Sequence, residues 1–333
     1  MIAIHNKRLL AVIDIHQSII ETHIAIVSSK LNDWLNKPDV GTGEKSRKLS
    51  KREIVYLQLL KCSLPFLVKA NTTEIQQFKK QFDRIIPESY RKDKANKFVR
   101  FKDALIFKMG YSLLRTGNKQ RDAFYPYFYA DLKIKTCVYC NAQLAVSVEQ
   151  HADEDKKSAK FQLDHFLGKA EYPCFSISFF NLYPSCGSCN LKKGENPINF
   201  ELYSGDSAKL EKSDFAFKID KASLANYRVN PIDRDLKITF EGKEATNFKA
   251  AFDIQGVYDT QKDLAAEIIQ KSLIYNKSYK EVLKKSFSKL YGNKNSIQFN
   301  RLIIGSYTDP KDIHKRPMSK FKQDISRQLG LIE

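Results

Sequence analysis

The chain has 333 residues, 42% of them hydrophobic and 28% charged, which suits two or three soluble globular domains with no need of a disulfide framework. No uninterrupted apolar run reaches the roughly 18 residues of a bilayer span, and the N-terminus lacks the pattern of a secretory signal, so the expected location is the cytoplasm. Lys and Arg outnumber Asp and Glu by 56 to 38, and the net charge of +18 points to a polyanionic partner, with a plain solvated basic surface as the rival reading. A membrane surface would call instead for a basic amphipathic helix or a lipidation signal, and neither stands out.

Apolar residues at helical spacing from Lys7 to Leu35 (Leu9, Val12, Ile13, Ile19, Ile20, Ile24, Val27, Leu31, Trp34, Leu35) predict one long amphipathic helix. A loop with Pro38, Gly41, Gly43 and several Lys follows over Lys37–Lys51. Helical pattern resumes over Glu53–Leu64, ending before Pro65, over Glu74–Ile86 behind the cap candidates Asn71, Thr72 and Thr73, and over Asn96–Leu114. Residues 1–120 thus read as a helical N-terminal region. Its basic run Arg91, Lys92, Lys94, Lys97, Arg100 and Lys102, interleaved with Tyr90, Phe98 and Phe101, is either a solvated helix face or a phosphate-contacting one.

Over 121–204 the texture changes to short apolar runs rich in Cys, Gly, Pro and aromatic residues, suited to strands and loops around one short helix. The remainder, 205–333, reads as a C-terminal α+β region that is mostly helical. Strands are predicted at Lys237–Phe240 and Ala251–Ile254. A helix is predicted from Thr260, opened by a Thr260/Asp263 capping box, and a final one over Met318–Leu329, stopped by Gly330.

Four of the six cysteines form two pairs, Cys137-Val-Tyr-Cys140 and Cys186-Gly-Ser-Cys189, with 45 residues between them. Each pair can present two thiolates to one tetrahedral zinc. A redox dithiol is the rival reading for either pair alone, and two copies in a reducing compartment favour the metal. Cys62 and Cys174 read as small core residues. His5, His16, His23 and His151 have no matching partners, and His314 fits a basic contact or a plain surface turn equally well.

The loop closed by the two pairs carries Phe161-Gln-Leu-Asp164-His165-Phe166 and Asn181-Leu-Tyr-Pro-Ser-Cys186, and past the second pair come Asn190-Leu-Lys-Lys193-Gly194. Phosphodiester hydrolysis needs a deprotonated water and stabilisation of phosphoryl charge, and an imidazole suits the first task at neutral pH. In order, spacing and residue type, Cys137 to Glu195 resembles the HNH, or ββα-metal, endonuclease family in its zinc-bound form. The fold class this implies is α+β, a mainly helical chain with a central zinc-stapled ββα-metal finger. By the same resemblance His165 is the general base, Asp164 and Asn190 ligate a catalytic Mg²⁺ or Mn²⁺, Asn181 braces the loop between the strands, and Lys193 contacts phosphate. Asn190 stands where many members have His, and its neutral amide oxygen favours Mg²⁺ or Mn²⁺ over a second zinc.

The overall layout resembles nuclease subunits of bacterial antiphage defence systems such as Septu, which implies DNA as substrate, with RNA open, and an ATPase subunit as partner. Two other readings stand beside it. One is a stand-alone restriction endonuclease, and the other a zinc-stabilised nucleic-acid-binding module whose Asp164-His165 pair is not catalytic.

Overall fold

The apolar stripe of the first 36 residues divides between two helices. A short strand β1 (Ile4–His5) leads into α1 (Asn6–Ile15), which buries Leu9, Val12 and Ile13, and α2 (Gln17–Asn36) buries Ile20, Val27, Leu31 and Trp34. They meet at 80°, so the single helix expected over 7–35 is broken at His16. Ile15 and Ile19 interrupt the stripe by facing solvent, and the His16 ring leaves the helical path to pack on Phe124 and Phe128, with Nε2 2.8 Å from Asp131 Oδ2. The computed structural model describes the chain apart from residues 42–45, 89–97, 119–120, 151–152, 195, 197, 244, 292–295 and 333. No single helix among the described residues is long and apolar enough to cross a membrane.

The expected loop at 37–51 contains two paired two-residue strands, β2 (Asp39–Val40) and β3 (Arg47–Lys48). Ser50 and Glu53 then form a capping box that opens α3 (Lys51–Lys69), and Arg47 holds both Glu53 oxygens at 2.7 and 2.9 Å. α3 continues through Pro65, past the predicted end at Leu64. Leu64, Leu67 and Val68 are all buried, and at about 1.5–3 kcal/mol each they outweigh the roughly 3 kcal/mol cost of an internal proline. α4 (Thr72–Ile85) starts at an Asn71/Glu74 capping box. The helix expected over 96–114 is divided into α5 (Phe98–Met109) and α6 (Tyr111–Thr116) by Gly110, where φ is +70° and a Cβ would lie 2.8 Å from the His23 ring. The basic positions Arg91, Lys92, Lys94 and Lys97, with Tyr90, lie outside the described residues. Phe101 is core, stacked on Trp34 at 5.4 Å and edge-on to Tyr56.

After α7 (Tyr125–Leu132) come two antiparallel pairs, β4 (Val146–Gln150) with β5 (Asp153–Lys160) and β6 (Gln162–His165) with β7 (Leu182–Ser185). Gln162 lies opposite Ser185 and His165 opposite Leu182. The helix α8 (Gly187–Lys193) follows β7 directly, and β8 (Tyr203–Ser204) pairs in parallel with β1. In the last third, α9 (Ser207–Glu211) precedes β9 (Phe215–Ile219), α10 (Lys221–Val229) and β10 (Ile238–Gly242), with the two strands antiparallel.

The strand expected at 251–254 is instead the junction of α11 (Ala245–Phe252) and α12 (Ile254–Asp259). Phe248 and Phe252, four residues apart, both reach the buried Tyr139 ring, a contact that only helical spacing permits. α13 (Lys262–Ile274) has no Thr260 capping box, because the Thr260 hydroxyl donates back to the Val257 carbonyl at 2.7 Å. α14 (Lys277–Tyr291), α15 (Ser296–Ile304) and α16 (Ser319–Gln328) complete a mixed α/β chain dominated by helix, with two-stranded sheets only among the described residues. One buried apolar cluster runs from Met1 to Ile332 and draws on all three sequence regions.

Two single-residue expectations are overturned. Cys62 is exposed, since its neighbours Leu60 and Leu64 point the α3 core face away from it. His314 is buried, not a surface turn, and its Nε2 donates to the Ile2 carbonyl at 2.9 Å. Burial pushes the His314 ring down from its usual 6.5 to about 4, so it is neutral in the folded protein. Protonation therefore favours the unfolded chain: His314 costs nothing above pH 6.5, and roughly 3 kcal/mol of stability is lost as pH falls from 6.5 to 4. Urea midpoints measured across that window are expected to fall less steeply in His314→Gln than in the unmodified protein.

Candidate functional site

Cys137 and Cys140 occupy a turn whose backbone is tied to its surroundings, Cys137 N–H donating to Gln143 O at 2.9 Å and Val138 N–H to Pro184 O of β7 at 3.2 Å. Cys186 caps the N-terminus of α8, and Cys189 lies one turn on. All four thiols are buried, with every sulfur within 4.8 Å of the others and Cys140 Sγ 4.0 Å from Cys186 Sγ. A zinc with four bonds of about 2.3 Å places its sulfurs about 3.8 Å apart, so this donor set fits a tetrahedral soft ion. Cys174 is buried elsewhere and takes no part in the cluster.

The same cluster anchors the strand pair that carries the polar residues. β6 ends in Asp164 and His165, 4% and 6% exposed. The loop returning to β7 is secured by Asn181, whose Oδ1 accepts from Leu167 N–H at 2.7 Å while Nδ2 donates to the Leu167 and Phe175 carbonyls, both at 3.1 Å. That loop sets the Ser176 carbonyl 3.0 Å from His165 Nε2. A carbonyl only accepts, so Nε2 carries the hydrogen and Nδ1 the lone pair. Burial holds the His165 ring neutral, pushed down to about 3, and the cations Lys169 and Lys193 act in the same direction.

Lys193, at the end of α8 and 1% exposed, lies 3.1 Å from Asp164 Oδ1, 3.0 Å from Oδ2 and 3.1 Å from the His165 carbonyl oxygen. The Tyr139 hydroxyl donates to Asp164 Oδ2. Burial raises the Asp164 carboxyl, with the Lys193 ammonium and the Tyr139 hydrogen bond opposing the rise. Asn190 is half-buried and gives its Nδ2 to Gln162 Oε1 at 2.7 Å. A hard cation on Asp164 and Asn190 would sit against the buried Lys193 ammonium, which already lies within 3.1 Å of both Asp164 oxygens, and the Asn190 amide is held by Gln162. The residues as arranged do not fit the expected Mg²⁺ or Mn²⁺.

No family model matches the chain, and no solved structure does. One stretch is 40% identical over 58 residues to the Septu protein PtuB of Bacillus thuringiensis. It covers 17% of this chain and 19% of that protein.

Several residues around the site escaped sequence reasoning. Tyr139, inside the first cysteine pair, stacks on Phe252 at 4.3 Å besides bonding Asp164. Tyr258 donates to the Cys140 carbonyl at 2.8 Å, so α11 and α12 brace the cluster from behind. Lys169 sits 4.8 Å over the Tyr111 ring, which packs against His165 at 4.8 Å. Asn141 is the best hidden: it is fully buried at φ +53°, Nδ2 donates to Thr136 Oγ1 and Ile313 O, and Oδ1 accepts from Lys320 N–H at 2.9 Å. An Asn directly after a CxxC is the signal that was available, since Asn is the residue that best tolerates the left-handed conformation after Gly. Asn141→Ala is expected to lower stability by roughly 3–5 kcal/mol, by stranding three buried polar groups and straining φ. Asn141→Gly is expected to recover the backbone share alone, as read from urea midpoints.

Proposed function

We propose that this chain is an HNH-type nuclease acting in bacterial antiphage defence, hydrolysing phosphodiester bonds of DNA, with the nuclease activity placed at His165. The observation that carries the reading is the order β6, β7, α8 around one cysteine cluster, with Asp164 and His165 ending the first strand. That order supports reading the segment as a ββα-metal finger. The 58-residue similarity to a Septu protein supports the defence role, and an ATPase subunit as partner is what the resemblance to Septu nuclease subunits implies.

In this reading zinc on Cys137, Cys140, Cys186 and Cys189 supplies structure only, holding the Cys137–Cys140 turn to the start of α8. His165 Nδ1 takes a proton from water, and the oxygen so activated bonds to phosphorus as the bond from phosphorus to the sugar oxygen breaks. The leaving oxygen takes its proton from solvent. An imidazole held as low as His165 is a weak base in the free protein, and the negative charge of a bound phosphodiester beside the ring raises its basicity. Lys169, half-buried and stacked on Tyr111, is placed to neutralise phosphoryl oxygens near His165.

One observation favours a second reading, a zinc-stapled binding module without catalysis: the Asp164 carboxylate is locked by Lys193 and Tyr139. Incubation of the purified protein with plasmid DNA and with total RNA, in Mg²⁺, in Mn²⁺ and in EDTA, separates the two. Nicking or linearisation of plasmid supports the nuclease. Binding without cleavage under every condition supports the module.

A further inference from the structure

We propose that the protein carries a second nucleic-acid contact, a basic track on the C-terminal segment from Arg301 to Arg316, which holds the phosphodiester backbone. The proposal rests on the reading that the chain acts on nucleic acid. At its centre is one ring, Tyr307, that receives three cations: Arg301 at 4.1 Å, Lys315 at 5.4 Å and Arg316 at 5.6 Å from its centroid. Arg316 also donates to the Gly305 carbonyl at 3.0 Å, and the Lys322 ammonium lies close to Gly305. Each cation–π contact is worth about 0.5–1 kcal/mol at an exposed site, which offsets only part of the mutual repulsion of charges brought this close. Two carboxylates answer them. Asp312 pairs with Lys315 at 2.7 Å, and Glu267, paired with Lys271, attracts Lys322 from α13.

The track continues around the turn Pro310–Lys315. A cleft of about 530 Å³ on the far side is lined by Arg8, Lys133, Lys311 and Lys315 against the acids Glu211 and Asp312. Lys315 belongs to both halves. Four cations against two acids in the cleft, beside guanidiniums of Arg301 and Arg316 held on the Tyr307 ring, match a polyanion with evenly spaced phosphates.

The surface is also rigid where it meets the cysteine cluster. Asn141 binds the Ile313 carbonyl and the Lys320 N–H, its own carbonyl accepts from Met318 N–H at 2.7 Å, and Lys135 N–H donates to His314 O at 2.8 Å. A strand held on the track is thereby fixed relative to the turn that carries Cys137 and Cys140.

The test is binding of a short fluorescein-labelled DNA duplex by anisotropy, between about 50 and 200 mM NaCl. Arg301→Gln/Arg316→Gln is expected to reduce the slope of log Kd against log salt by roughly two and to weaken binding at least about tenfold at the lowest salt. Arg301→Lys/Arg316→Lys is expected to keep most of the slope. Lys311→Gln, at an exposed position that carries no folding risk, is expected to remove roughly one unit by itself. Lys48→Gln/Lys218→Gln, which removes the same charge from exposed strand residues elsewhere, is expected to leave the slope nearly unchanged. Equal slopes in all the proteins, or no binding by the unmodified protein, overturn the track. A duplex bound with the full slope and never cut leaves the track standing and removes the nuclease reading instead.

Discussion

Stripping the metal from the four-cysteine cluster is expected to lower the thermal unfolding midpoint by on the order of 10 °C, and Cys137→Ser is expected to reproduce the effect without a chelator. Structural zinc contributes about 10–16 kcal/mol in isolated finger peptides. Here the four cysteines belong to one large apolar core that reaches from Met1 to Ile332 and buries much surface besides theirs, so only part of that energy is expressed as global stability. If about 4 kcal/mol is expressed, the midpoint moves by on the order of 10 °C.

The dependence has a physical source in the sulfurs. Burial pushes the Cys137 thiol well up, so without a cation this thiol stays protonated, and binding must expel protons. Elemental analysis is expected to find one zinc per chain, with affinity falling as pH falls. Identical melting of metal-loaded and stripped protein would remove the staple from the account.

The second large effect is expected at Lys193. Its ammonium and the Asp164 carboxylate are 1% and 5% exposed at their side chains, and neither can turn to water. Lys193→Met leaves a buried carboxylate with the Tyr139 hydroxyl and the His165 N–H as its remaining donors, and is expected to cost about 3–5 kcal/mol in urea unfolding. Asp164→Asn/Lys193→Met removes both charges together and is expected to regain most of that loss. If the double variant is no more stable than Lys193→Met alone, the two charges are not energetically coupled.

The same pair explains why the sequence was a better guide to which residues gather than to what each one touches. Asp164, His165, Asn181, Asn190 and Lys193 all surround β6, β7 and α8, and the cysteine spacing told which segments had to meet. Spacing carries no information about the protonation or pairing of a buried group. Lys193, expected to face phosphate, is sealed against Asp164, and the oxygens expected to hold a second ion are occupied.

Helices were legible where an apolar stripe met a cap, as at Asn71 and Glu74. They were misjudged where long-range contacts decided. His16 breaks a stripe for the sake of Asp131, 115 positions away, and Phe252 is drawn into helix by Tyr139. Asn141 and Tyr258 were invisible for the same reason, since their partners lie 172 and 118 positions away.

His165 is proposed to take the proton from the attacking water on a zinc-stapled ββα unit. The most direct test is single-turnover cleavage of plasmid DNA by the unmodified protein and by His165→Ala, at matched zinc content and with matched melting curves. Cleavage is expected by the first, with a loss of at least about a hundredfold in the second. Equal rates in the two proteins would contradict it.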